Sequence, residues 1–325
     1  MKVAVFYTGA LRTYRRAFPS FRRNLLLHDG VHVFAALHAS AADARADDEA
    51  WLRDAMGPHL KSLAWCTPQD PDYVAHREAS LATMPLPEPW KDYLRRSGSL
   101  FEHHQVSLAY EQMAARELAA GCAYDAIVRC RTDMVLGFPC DFHWLDLAPA
   151  RIQRRLARIA ALTGQPSHAR ETLARFMSSV WHEDRLLAAT SVADSQVHPN
   201  DFAFDAMTRA SDVDALCVLL RDYLRDGRYI LTLRENLAYV VKREHATLIP
   251  CLGTRYGRFH TPGKDHWFDS ESQFKAVCTL SGLSRFDSCT ELEARSLYEY
   301  DPAVYLDEAS APRSSPDLMF FLMRR

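Results

Sequence analysis

No C-x-x-C pair occurs among the eight cysteines, at positions 66, 122, 130, 140, 217, 251, 278 and 289, which removes the zinc ribbon and the compact disulfide scaffold. Such scatter fits a reducing compartment. No stretch approaches the roughly 20 apolar residues of a membrane span, and the apolar run in "MKVAVFYTGALR" is too short for a signal-peptide core. A cytoplasmic protein with no transmembrane segment is therefore expected. Basic excess is lacking too: net charge is -2 and the pI is near 6.7, so no nucleic-acid partner is expected. Neither G-x-x-x-x-G-K-S/T nor G-x-G-x-x-G is present, which weakens the P-loop and dinucleotide-binding readings.

What is present is an ordinary globular composition, 48% hydrophobic and 25% charged over 325 residues. "KVAVFY" (2 to 7) is short, β-branched and almost continuously apolar, the pattern of a strand buried on both faces of a parallel sheet. A basic segment with helical spacing follows, with Phe18, Phe21 and Leu25 on one side. "VHVFAALH" (31 to 38) reads as a second strand, 41 to 56 as a helix and "SLAWCT" (62 to 67) as a third strand. This β-α-β-α-β opening predicts a doubly wound, Rossmann-type, mostly parallel sheet flanked by helices.

Three alternating prolines in "MPLPEPW" (84 to 90) predict an extended loop. The stretch 102 to 120 reads as a helix with Val106, Tyr110, Met113 and Ala114 on one stripe and Gly121 as its terminator. Residues 151 to 185, with seven arginines against three acids, predict a helical insertion. Its basic surface is either simply solvated or meets acceptor phosphates or an anionic membrane. "RLLAATSVA" (185 to 193) and "YILTL" (229 to 233) read as further strands, and 255 to 325 as a C-terminal loop and helical extension of a single domain.

Two strand ends carry chemistry. In "YTGALRT" (7 to 13), Gly9 allows close backbone approach and Arg12 offers a bidentate donor suited to phosphate; a tight turn with a surface arginine is the plainer alternative. In "YDAIVRCRTDMVL" (124 to 136), read as one strand, the period of two puts Arg129, Arg131 and Asp133 on one face. Asp133 could bind a divalent cation while an arginine offsets diphosphate charge, since magnesium and manganese often use one or two protein carboxylates. A buried Arg-Asp pair would explain the same spacing.

"TGALRT", "HHQVSLAYEQM" and "YDAIVRCRTD" together resemble segments of the divergent nucleotide-sugar-dependent glycosyltransferases of the GT-A fold found in bacteria, algae and large DNA viruses. "HPNDFAFDAM" (198 to 207) and "RENLAYVV" (234 to 241) resemble later segments of that group more weakly. The resemblance implies a GT-A-like α/β domain, a nucleotide-diphosphate sugar donor and a hydroxyl acceptor on a glycan, lipid-linked sugar or glycoprotein. Thr8, Gly9, Arg12, Gln105, Arg129 and Arg131 would then surround the donor, and Asp133 would be the last carboxylate of a metal-binding D-x-D motif. Arg131 stands where the first Asp would be. That exchange leaves open a weaker manganese or magnesium site, or metal-independent binding in which Arg131 supplies the positive charge.

An inverting transferase needs a carboxylate to deprotonate the acceptor hydroxyl. Asp201 is the first candidate and Asp205 the second, although Asp201 would also serve as a helix cap. His260 is a candidate metal ligand, with an uninvolved surface histidine as the alternative; His103, His104 and His266 are read as surface residues and Glu235 as a helix-start acid. The competing reading is a catalytically degenerate transferase fold used for nucleotide binding or as a scaffold.

Overall fold

The computed structural model describes residues 2–26, 29–38, 45–84, 87–136, 229–233, 238–251, 274, 278, 283–287 and 320–322. Strand β1 (Val3–Ala10), helix α1 (Tyr14–Leu25), β2 (Val31–His38), α2 (Arg45–Met56) and β3 (Leu60–Trp65) follow in the alternation expected from the apolar runs. Helices α3 (Pro71–Thr83), α4 (Glu88–Arg96) and α5 (Gly98–Ala120) then lead to β4 (Ala126–Arg131). Next come β5 (Met134–Leu136), β6 (Tyr229–Leu233), β7 (Ala238–Lys242), a 3-10 stretch (Arg243–Cys251), β8 (Ser284–Asp287) and β9 (Phe320–Leu322). Among the described residues no helix is long and apolar enough to cross a membrane.

Seven described strands make one sheet in the order β3-β2-β1-β4-β7-β6-β8. The pairings of β1 with β2, β2 with β3, β1 with β4 and β6 with β8 are parallel, and only β7 runs against its neighbours. The chain is thus α/β with a mostly parallel sheet. Because the strands near its centre are covered on both sides, β1 shows six consecutive buried residues rather than an alternation. On one face Ala4, Phe6, Phe34, Ala36 and Ile127 pack with Leu81 of α3, Trp90 and Leu94 of α4, and Val106, Ala109 and Met113 of α5. On the other, Tyr7 meets Phe21 of α1 at a ring-centroid distance of 4.6 Å. Phe18, Phe21 and Leu25 are all buried, as their spacing requires.

Several expectations change. The proline-rich stretch does not stay extended: α4 begins at Glu88, with Pro87 at its N-cap and a proline in its first positions, where a missing N–H costs no helical hydrogen bond. The run 124 to 136 is not one strand, because a turn at Thr132 and Asp133 ends β4 and sends β5 to pair with β9 in a separate two-stranded sheet. Part of the stretch read as a C-terminal extension belongs to the core: Phe274 and Cys278 are buried and β8 extends the central sheet. The last four residues of "RENLAYVV", 238–241, together with Lys242 form the antiparallel strand β7. The 151 to 185 insertion, the 185 to 193 strand, Asp201, Asp205, Glu235, His260 and His266 lie outside the described residues.

Gly121 closes α5 with a φ of 61°, and nothing lies within 4 Å of where a Cβ would stand. Backbone strain alone therefore sets the cost of a substitution there. Gly121→Ala should lower stability by about 1–2 kcal/mol in chemical denaturation, and Gly121→Asn by less, since asparagine tolerates the left-handed region. Equal losses for both would contradict this account.

Candidate functional site

The sheet reverses its direction of growth at β1. From there β2 and β3 add on one side, while the chain returns through α3, α4 and α5 to place β4 on the other. In open α/β sheets the crevice outside the carboxyl ends of such a strand pair is where ligands bind. The residues at those ends are Gly9 and Ala10 on β1, Arg131 on β4 and Thr132 and Asp133 in the turn that follows it, so both segments singled out in the sequence meet at one place.

Register builds the charged side of this crevice. Thr8 is the in-register partner of Arg131, and Phe6 of Arg129; in-register residues of parallel strands share a face, so these side chains lie on the side covered by α5. Arg129, also opposite Tyr239 of β7, is only 1% exposed. A buried guanidinium needs a counter-charge, and Glu102 of α5 supplies it through a hydrogen bond from Arg129 Nη2. Glu102 Oε1 also lies 3.6 Å from Arg131 Nη1. Arg131 in turn donates from Nε to Asp133 Oδ1 and from Nη2 to Asp133 Oδ2, both at 2.9 Å. Four charges thus run in a chain, Arg129, Glu102, Arg131, Asp133. Asp133 stands in the turn rather than on the strand face and reaches its partner by leaning back two residues. The pairing expected as the plainer explanation of the spacing is present, at the mouth of the crevice.

Burial raises the cost of ionising Glu102, but Arg129, Arg131 and, more weakly, His103 outweigh it and hold its carboxyl below the usual range. His103 is 1% exposed, not a surface residue. Burial depresses its pKa to about 3, with Glu102 opposing and Arg129 assisting, so the imidazole is neutral at pH 7. Tyr239 is buried, which pushes its hydroxyl far above the ordinary phenol range. Thr8 Oγ1, Arg129 Nε and Tyr239 Oη, all buried, have no hydrogen-bond partner among the described residues.

Other expected donor contacts take different roles. Gln105 is 3% exposed, and its amide donates to Ala36 O at 3.2 Å and to Gly9 O at 3.5 Å. It ties the ends of β1 and β2 together from beneath, so it positions the crevice instead of reaching into it. Gly9 has a φ of 131°, and an added Cβ would stand 3.1 Å from Thr132 Oγ1, a hydroxyl that donates to Ala10 O at 2.7 Å. The close approach that requires glycine here is made by Thr132. Arg12, just past β1, is exposed and makes no ion pair with a described residue. Tyr124 and Asp125, the first two residues of the β4 motif, serve the opposite end of the strand: Tyr124 Oη lies 2.7 Å from His32 Nδ1, and Asp125 Oδ2 accepts from the Lys2 backbone N–H at 2.6 Å.

Glu102 was missed in the sequence although it precedes Gln105 by three residues, a spacing that puts both on one helix face. That face continues through Val106, Ala109 and Met113, so a polar start to an apolar stripe was the available signal.

A divalent cation does not fit the described geometry. Both Asp133 oxygens are engaged by Arg131 and the carboxylate is 3% exposed. A cation there would sit beside a guanidinium; at about 4 Å and an effective dielectric of about 20, like unit charges cost about 4 kcal/mol, and a divalent ion doubles that. Among the described residues no group of three or more His, Cys, Asp or Glu side chains is placed to hold a metal.

Removing Glu102 should strand the buried Arg129 charge: Glu102→Ala is expected to lose about 3–5 kcal/mol in urea unfolding, whereas Glu88→Ala, on an exposed pair with Arg95, should change stability far less. Parity between the two would refute the counter-charge role. A second expectation concerns acid. His103 has a native pKa below its unfolded value, so its contribution is complete above about pH 6.5 and is lost as pH falls toward its native value near 3, at about 1.4 kcal/mol per pH unit. Glu102, also depressed, adds loss only below the unfolded carboxylate range near 4.5. His103→Gln should therefore flatten the stability profile between pH 6 and about 4.5 relative to wild type, as read by urea midpoints at stepped pH; superimposable slopes would contradict a buried neutral His103. Comparison of the chain with protein-family models, with curated proteins and with solved structures finds no match.

Proposed function

We propose that the chain is a glycosyltransferase of GT-A-like architecture, which moves a sugar from a nucleotide-diphosphate donor to a hydroxyl of a glycan, a lipid-linked sugar or a glycoprotein. The observation that carries the proposal is the meeting of the Gly9 strand end, the Arg131–Asp133 pair and the exposed Arg12 at the reversal point of a mostly parallel sheet. A crevice there with oriented guanidinium groups suits a diphosphate, because planar N–H forks match phosphate oxygens in pairs. Arg131 is 21% exposed at its side chain, so its positive charge is felt at the protein surface while Asp133 holds its Nε and Nη2 and Glu102 lies beside Nη1. Arg12 adds an outer positive charge that draws an anion inward.

In this reading the leaving diphosphate is stabilised by fixed donors as charge develops on it. Asp201, with Asp205 as second candidate, takes the acceptor proton; both remain proposals from the sequence. Phosphates drawn to the crevice also leave room for the second reading, a nucleotide-binding protein without turnover, which the closed Arg131–Asp133 pair favours.

Calorimetry against uridine, guanosine and cytidine diphosphates should show one of them binding, with Asp133→Ala weaker by about tenfold because Arg131 loses its orientation. Absence of binding by the wild type would overturn the proposal. Slow hydrolysis of the matching nucleotide sugar without acceptor separates an enzyme from a binding protein. Asp201→Asn should lower that turnover by about 10²- to 10⁴-fold, with little change in KM.

A further inference from the structure

We infer that a pocket at the amino ends of β1 and β2, at the opposite end of the strands from the crevice, binds a phosphate group, as the free ion or on a small metabolite. The inference is independent of the glycosyltransferase reading. The pocket has a volume of about 160 Å³, and Lys2, His32, Arg116, Cys122 and Tyr124 stand in its wall. A cavity of about 150 Å³ accepts a benzene-sized guest, so a phosphate group has room.

The donors come from three separate stretches of chain. Lys2 precedes β1, His32 is the second residue of β2, and Arg116 stands four residues before the end of α5. Donors arriving from three directions suit a tetrahedral oxyanion more fully than a flat carboxylate, with the guanidinium as a fork and the ammonium as a point charge. Arg116 is exposed and makes no hydrogen bond or ion pair among the described residues. The acids nearest in sequence are engaged elsewhere: Glu117 accepts from Arg243, and Asp125 from the Lys2 backbone N–H.

The field in the pocket is positive. Burial lowers the pKa of His32, and the charge effects that follow burial come from Lys61, Arg116, His59 and Lys2, all basic groups. Tyr124 Oη, 2.7 Å from His32 Nδ1, fixes the imidazole ring in the wall. The end of α5 opposes an anion through its last carbonyls. Two of these are closed, by Gly121 N–H on Leu118 O at 3.4 Å and by Cys122 N–H on Glu117 O at 3.3 Å. A helix end carries about half a negative charge, whereas Lys2 and Arg116 each bring a whole positive one.

Cys122 reports on the pocket, since its thiol is exposed and lies 3.1 Å from Lys2 Nζ. The test is alkylation of Cys122 in the full chain by anionic iodoacetate and by neutral iodoacetamide, read by peptide mass spectrometry, with the same residue in urea as reference. The native rate ratio of iodoacetate to iodoacetamide should exceed the unfolded ratio at least about threefold. Inorganic phosphate or glycerol 3-phosphate should slow both reagents several-fold more than chloride does at equal ionic strength. The stronger protector of the two tells whether the free ion or an ester is preferred. Arg116→Gln, at an exposed position, should lower the ratio and abolish the protection. Arg116→Lys should keep the ratio but lose most of the protection, because a single ammonium replaces the fork. A native ratio equal to the unfolded one overturns the inference. So does a raised ratio with no more protection from phosphate than from chloride, which marks a positive surface without a site.

Discussion

Arg129 is a charged side chain set into the middle of an apolar face, flanked in register by Phe6 on β1 and Tyr239 on β7. Its charge cannot be left uncompensated there, so α5 must arrive with Glu102 at that height. Once Glu102 is in place, the same helix face brings Gln105 under the ends of β1 and β2, and Val106, Ala109 and Met113 onto the sheet. Glu102 also lies beside Arg131, which holds Asp133. The crevice wall is thus a consequence of one buried ion pair, built outward from the core to the strand ends.

How much of this was readable in the chain varied with the range of the interactions involved. Apolar runs and helical spacing depend on neighbours a few residues away, and they placed β1, α1, β2, α5 and the Gly121 terminus well. The alternation of Arg129 and Arg131 also held, because β4 obeys the period of two. Asp133 did not follow it, since Thr132 turns the chain away to make hydrogen bonds with Thr8 O and Ala10 O. That demand comes from a strand more than a hundred residues earlier, and nothing local announces it. Likewise the prolines before α4 read as breakers when counted, but one at a helix start is compatible with the first turn. Long-range pairing explains β8 as well: a four-residue strand gains its definition from β6 beside it.

The site segments divide by the same logic. Gly9 was legible as a special glycine, yet the sequence could not say whether a ligand or Thr132 fills the space beside it. Gln105 was legible as a helix residue, and only the resemblance put it beside a donor; its 3% exposure follows from how closely α5 lies on β1 and β2. In each case the residue type was informative and its partner was not. The resemblance to nucleotide-sugar enzymes supplied partners by analogy, whereas the fold supplies protein groups for several of those contacts.

At its far end α5 is tied down again. Glu117 accepts from Arg243 Nε and Nη2 at 2.8–3.0 Å, and the Arg243 guanidinium lies 5.2 Å from the Tyr110 ring centroid. Glu102 and Glu117 are separated by about 22 Å along the helix axis, and each is bolted to a different strand or its sequel. A rod fixed at two such points resists sliding lengthwise and rolling about its axis. Whatever adjustment the crevice makes must then be confined to side chains and loops, leaving the frame that holds them stationary.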